Sequence, residues 1–266
     1  GLRYGTVDEQ RFTEGGFTTP YVARALARIP GPLPVTPTPA SVGVKAEESK
    51  PSFKVSVSYK PSETLTTYAT VSTGFRTPVV NLRAGDVSVV NPADLVIPAG
   101  ASSDDLVNYE IGLKGRWFDG KLTANLAAYW IEWSNIQIQA NRASDAVQFA
   151  ANIGAATSKG LEFELVAYPT DGLTIGLSGS LNEGEVTRLS AIEAAISGAV
   201  PGARLSSPHF QGSLFVDYGF DLTPNARANL SVVVQHVGSF PQSFPNVPGN
   251  PTRVSPSARN PASGRK

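Results

Sequence analysis

Few side chains in this sequence are arranged for chemistry. There are two histidines, His209 and His236, and no cysteine. The lack of Cys removes disulfides, thiolate metal sites and cysteine nucleophiles together. Each histidine stands alone near the end of an alternating segment. That placement fits a wet wall or rim position better than a metal ligand or an acid–base catalyst. Glu162 and Glu164 are two residues apart, so on a strand they share a face, which is one way to pair carboxylates for general acid–base work. They interleave with Leu161, Phe163 and Leu165, and the plainer reading is a wet face in contact with water or a partner. Arg76 follows Gly74-Phe75 where a strand runs out into a loop. Its guanidinium is the one ligand-binding candidate, for an anion, set against a structural arginine at a rim. The glycine-rich pieces lack GxGxxG or Walker spacing, so no phosphate cradle is indicated. Lys+Arg 22 against Asp+Glu 22 leaves no net charge, hence no electrostatic footprint for nucleic acid. No catalytic residue, metal ligand or cofactor site is read, and the chain is not expected to be an enzyme.

The elements that carry these residues are strands. Phe53, Val55, Val57 and Tyr59 alternate with Lys54, Ser56, Ser58 and Lys60, giving one apolar and one polar face. The same period of two runs through Leu65–Ser72, Val107–Lys114, Leu122–Trp130, Leu161–Ala167, Leu173–Asn182, Phe210–Tyr218 and Ala228–Gln235. With a weaker strand between Gly1 and Phe12, that makes about nine strands of roughly ten residues.

Their connections are sorted by side. Tight turns fall at Lys60-Pro61-Ser62-Glu63, Phe118-Asp119-Gly120, Pro169-Thr170-Asp171-Gly172 and Asp221-Leu222-Thr223-Pro224-Asn225. The other connections run from about a dozen to nearly forty residues. Short turns on one side and long loops on the other predict an all-β, antiparallel up-and-down meander, a partial transmembrane β-barrel with long outer loops. A hydrophobic content of 41% and a mean hydropathy of −0.08 do not oppose this, since a barrel strand meets lipid only at alternate residues. Aromatic residues cluster at strand ends: Tyr59, Trp117, Phe118, Tyr168, Tyr218 and Phe220 beside the short turns, Trp130 and Trp133 towards the long loops. They are expected to form belts at the two membrane interfaces.

The loops have their own character. Residues 13–50 and the tail 241–266 are too rich in proline for a ladder, so residues 1–240 are assigned to the barrel and 241–266 to an irregular tail. In residues 183–207, Ser190 is placed to cap a short helix with Ile192 and Ile196 on one side and Gly198 as its stop. The chain has no Met, and Gly1-Leu2-Arg3-Tyr4 reads as mid-strand, so it is expected to be a piece of a longer product.

Four stretches carry a resemblance. FKVSVSYKPSETLTTYATVSTGFRTPVVN resembles a strand pair of TonB-dependent outer-membrane receptors with the Gly-Phe-Arg that begins a loop. LVNYEIGLKGRWFDGKLTANLAAYWIEWSNIQIQ and NIGAATSKGLEFELVAYPTDGLTIGLSGSLNEGEV resemble the next two hairpins, and SPHFQGSLFVDYGF the following strand. The match spans about residues 51–238 in order. The resemblance implies a 22-stranded barrel in the outer membrane of a Gram-negative bacterium, filled by an N-terminal plug, energised by TonB and importing scarce ligands such as ferric siderophores. The expected partners are outer-membrane lipid, the plug and remaining strands of the parent chain, TonB and a small ligand. Departing from the family, this sequence carries no plug, no TonB box and about half the strands, so the piece alone is expected to be inactive. A small passive porin-like barrel and a soluble β-sandwich binding module are the alternatives.

Overall fold

The computed structural model describes residues 2–11 and 44–244. Of the proline-rich stretch 13–50, residues 13–43 lie outside the described residues, as does most of the expected tail, 245–266; residues 44–50, which carry no proline, join a ladder against expectation. Nine strands form one antiparallel sheet: β1 (Leu2–Arg11), β2 (Val44–Ser62), β3 (Leu65–Phe75), β6 (Asp105–Trp117), β7 (Leu122–Asn141), β8 (Gln148–Ala167), β9 (Leu173–Arg188), β10 (Phe210–Thr223) and β11 (Ala226–Val237). They lie side by side in chain order, as a meander requires. A separate two-stranded ribbon, β4 (Val79–Val80) with β5 (Gly100–Ala101), sits in the loop between β3 and β6. No described helix is long and apolar enough to cross a membrane.

Alternation in the sequence becomes two continuous faces because every register agrees with it. Val57, Ala69, Ile111, Ala128, Leu161 and Leu181 form one lateral row, which ends on Phe210. Three residues along, Lys114, Asn125, Glu164, Ser178, Ser213 and Gln235 form a polar row on the other face. A slip of one residue would exchange the two faces. On the apolar face Val57 is 68% exposed and Ile111 64% exposed. A sandwich would bury such a face against a second sheet; here it is open.

The short turns match the expected positions. Phe118, Asp119 and Gly120 all take positive φ (56°, 57° and 87°), and Gly172 does so at the β8–β9 turn (78°). On the opposite side the sheet departs from expectation. Strands β7 and β8 are each 20 residues long, twice the predicted length, so their connection shrinks to residues 142–147. The ladder keeps one register through this extension, with a local irregularity at one pair. Ser134 pairs with Ala155 and Ile136 with Ile153, while Asn135 at φ 54° stands outside the ladder. Asparagine tolerates that left-handed conformation. Beyond it the register is unchanged, and Ile136, Ile138 and Ala140 share a face with Phe149, Ala151 and Ile153.

That extension is where the molecule has a core. Ile97, Ala140, Val147, Phe149 and Ala151 form one buried cluster, with Leu95, Ile138 and Ile196 against it. Ile136, Ile153 and Ala156 form a second, and Val186, Ala199 and Ala203 a third. The β9–β10 loop holds the expected helix, α1 (Ala191–Ser197), with Ser190 and Glu193 in a reciprocal capping box and Gly198 at φ 68° closing it. Its two isoleucines do not share a role: Ile196 packs on the core, whereas Ile192 is 71% exposed.

Candidate functional site

Two surfaces could meet a ligand: the polar face of the sheet, and the loop platform above it. The polar face is concave and holds a cavity of ≈ 610 Å³ lined by Tyr68, Lys114, Glu162, Glu164, Gln211 and Gln235 among others. Its side chains bond one another across strands. Tyr68 Oη donates to Glu110 Oε1 (2.7 Å) and Asn125 Nδ2 to Glu164 Oε2 (3.0 Å). Asn182 is a hub, donating to Tyr129 Oη (2.6 Å) and Ser158 Oγ (2.9 Å) and accepting from Ser207 Oγ (2.9 Å). Phe215 and Val233 are apolar exceptions on this face. Glu162 and Glu164 share it as expected, in a wide open groove rather than an enclosed pair. The histidines are engaged separately. His209 Nδ1 lies 3.0 Å from Asn182 O, and His236 stacks on Phe210 (centroids 5.8 Å apart). Among the described residues no group of three or more His, Asp or Glu is placed to hold a metal.

Arg76 stands where the sequence put it, at the top of β3, but it is occupied. Its backbone N–H donates to Asp104 Oδ1 (2.9 Å), its Nε to Asp104 Oδ2 (2.6 Å) and its Nη2 to the Gln137 carbonyl (3.0 Å). An Arg76 Nη2–Asp104 ion pair closes the fork. Trp133 completes the knot, its Nε1 donating to Asp104 Oδ2 (2.8 Å) and its ring lying under the guanidinium (4.8 Å). Burial pushes the Asp104 carboxyl up, but the Arg76 and Trp133 hydrogen bonds and the Arg76 charge outweigh it and hold it below its ordinary value. Beside this knot, Lys50 Nζ bridges Glu48 (3.0 Å) and Asp105 (2.8 Å). Arg76 is thus engaged by Asp104, Gln137 and Trp133, with half its side chain still exposed.

Higher up, Arg142 does what no spacing announced. Its side chain is fully buried. Nε and Nη2 grip Asp145 (2.9 and 2.7 Å), Nη1 donates to the carbonyls of Asp86 (2.6 Å) and Leu95 (3.2 Å), and Nη2 reaches Asp86 Oδ2 (3.4 Å). Five contacts use the five N–H donors of a guanidinium. Burial pushes Asp145 up, yet the Arg142 hydrogen bonds and charge hold it below its ordinary value. Asp94 is held low by the hydrogen bonds from Ser144, against a smaller effect of burial. Asn81 adds a neutral tie: Nδ2 donates to the Ala150 carbonyl (2.8 Å) and Oδ1 accepts from the Ala150 N–H (2.7 Å). Apart from the Arg142–Asp145 pair, three positions apart, these contacts were not legible because the partners lie tens of positions away and follow no period.

The aromatic residues divide by parity. Tyr59, Trp117, Trp130, Tyr218 and Phe220 share the apolar face, with Tyr218 and Phe220 stacked (5.3 Å). Lys159 reaches over Trp130 (5.8 Å) and pairs with Glu183 (3.2 Å) at the loop-side limit of that face. Phe118 is in the turn itself. Trp133, three residues from Trp130 in a regular ladder, points to the opposite face, and Tyr168 falls on the polar side beside Asp217 and Arg227. An odd spacing on a strand separates residues that proximity in sequence had grouped.

The sequence matches the family described as TonB dependent receptor-like, beta-barrel, over residues 1–261. Among solved structures it is similar to the ferric yersiniabactin uptake receptor FyuA from Yersinia pestis, with TM-score 0.60 and 17% identity, covering 77% of this chain and 28% of that one. It is also similar to the siderophore receptor PiuA from Acinetobacter baumannii, with TM-score 0.55 and 17% identity over 88% of this chain and 30% of that one. A third is BauA, the ferric preacinetobactin receptor from Acinetobacter baumannii, with TM-score 0.52 and 18% identity over 73% and 26%. The chain therefore spans under a third of each of these receptors, and at such identities the likeness is one of fold. By that match, and by the meander that the fold shares with these structures, the chain belongs to the TonB-dependent receptor β-barrel family, whose members are outer-membrane proteins of Gram-negative bacteria.

Proposed function

We propose that this chain is the loop-bearing part of an outer-membrane receptor that actively takes up a scarce ligand, with ferric siderophores as the ligand class. The observation that carries the reading is one continuous apolar face backed by a polar concave face, topped by loops with a core of their own. The first suits lipid, the second a wet passage, the third capture from outside. The names of the similar receptors supply the ligand class. Residues 1–240 act as barrel wall and loops, and 241–266 as an irregular tail. Tyr59, Trp117, Trp130, Tyr218 and Phe220, with Phe118 at its turn, act as interface aromatics; Arg76 acts through Asp104 and Trp133 at the rim.

The proposed partners are outer-membrane lipid, a plug and further strands from the parent protein, and TonB as the source of energy. The role is transport and reception, not catalysis. Edges at β1 and β11 are costly in lipid unless paired, which supports a wall completed by other strands and inactivity of these 266 residues alone. Reconstituting the chain alone in vesicles and following ferric-siderophore uptake tests this. No uptake is expected until the rest of the barrel and the plug are supplied. Specific uptake by the chain alone would overturn the reading and favour a small passive barrel.

A further inference from the structure

We infer that residues 76–104 form a strap locked onto the β7–β8 hairpin by Arg142, so that the strap is either fully shut or released as one unit. The strap is folded on itself. Asn81 N–H bonds Ala99 O (2.9 Å), Gly85 N–H bonds Ile97 O (2.8 Å) and Ile97 N–H bonds Asp86 O (3.1 Å), with the β4–β5 ribbon below. It touches the hairpin at three levels. At the base are Arg76–Asp104–Trp133 and Ser102 N–H on Asn152 Oδ1 (2.7 Å). In the middle Asn81 bridges both polar groups of Ala150. At the tip Arg142, from the hairpin, holds Asp86 and Leu95, from the strap.

Only the tip of the strap is held by a charged side chain of the hairpin that is itself fully buried, Arg142. The charged groups around it are Asp86, Asp94 and Arg83 from the strap and Arg142 and Asp145 from the hairpin. Arg142 adjoins the cluster of Ile97, Val147 and Phe149. A half-opened strap would leave a guanidinium with unmet donors in that setting, which costs more than either end state. Lysine, with three donors and no fork, cannot reproduce the tie. The device is independent of which ligand the parent protein carries.

Hydrogen exchange of the full chain in detergent micelles, read by mass spectrometry, tests the lock. In Arg142→Lys, amides across residues 79–101 should exchange at least tenfold faster and together, while residues 107–113 of β6 keep their rate. Asp145→Asn, which preserves shape and removes the counter-charge, should act in the same direction if Arg142→Lys fails to assemble. Unchanged exchange in the strap, acceleration confined to residues next to 142, or equal acceleration in β6 would each overturn the inference. Failure of both variants to assemble would overturn it too, since Arg142 would then serve the whole wall rather than a local lock.

Discussion

The wall and the platform solve opposite problems with the same kind of strand. In the wall the apolar residues face outward and stay exposed in the chain by itself: Val55, Val57, Ile111 and Leu230 are all between 59% and 68% exposed. In the platform Ile97, Phe149, Ile153 and Val186 are at most 2% exposed. Of the buried hydrophobic residues, Ala124 alone belongs to the turn-side half of the wall among the described residues. The wall is a surface waiting for a solvent; the platform is a small globular unit that carries its own. Stability in the first comes from backbone ladders and lipid, in the second from packing and buried ion pairs.

The contrast breaks hardest at Phe149. Phe149→Ala should cost the platform about 3–5 kcal/mol, as for a buried aromatic elsewhere, read as lost exchange protection over residues 95–151. Val57→Ala on the wall should leave the same peptides unchanged; a comparable loss there would erase the distinction. Next in size, Leu126→Arg should cost about 2–4 kcal/mol of membrane stability if the apolar face meets lipid near its midplane. Asn125→Arg, one residue away on the polar face, should be tolerated, and equal folding yields in lipid would sink the lipid-facing assignment. Smaller again, Ser190→Ala removes one half of the capping box and should cost about 1 kcal/mol, visible as fraying of α1 and nowhere in the wall.

The gentlest perturbation is acid. Asp104, Asp145 and Asp94 all have carboxyls held below their ordinary value of 3.8 in the folded chain. The stability they contribute is therefore fully present above that value and fades as pH falls through the lower folded one. Platform exchange should be flat from neutrality down to about pH 5 and rise only below about pH 4. Loosening at pH 6 would mean that other groups hold the platform.

How much of this was readable follows from the same contrast. The wall was legible strand by strand, since a period of two survives wherever one face must differ from the other. The tight turns and the Ser190–Gly198 helix were legible because caps and turns use local chemistry. The platform was not. Its hairpin reads IQIQ against QFAANI with Asn135 out of the ladder, and what covers it, Leu95, Ile97 and Ile196, comes from loops that follow no period. Arg142 offers only its near partner Asp145 as a signal; its hold on the strap lies in Asp86 and Leu95, 56 and 47 residues away. Trp133 misled by closeness to Trp130, and Ile192 by a helix of 7 residues, too short to bury both of its isoleucines.

The reach of those platform contacts also imposes a timetable. Wall strands pair with neighbours along the chain, so the sheet can zip forward one hairpin after another, each step rewarded almost at once. Asn81 has to wait for Ala150, 69 residues further on. Until β7 and β8 exist, the strap has nothing to fasten to, and Ile97 has no shelter. The roof of this molecule is thus made early and fitted late, and a chain delayed between those moments is at its most vulnerable to being caught by something else.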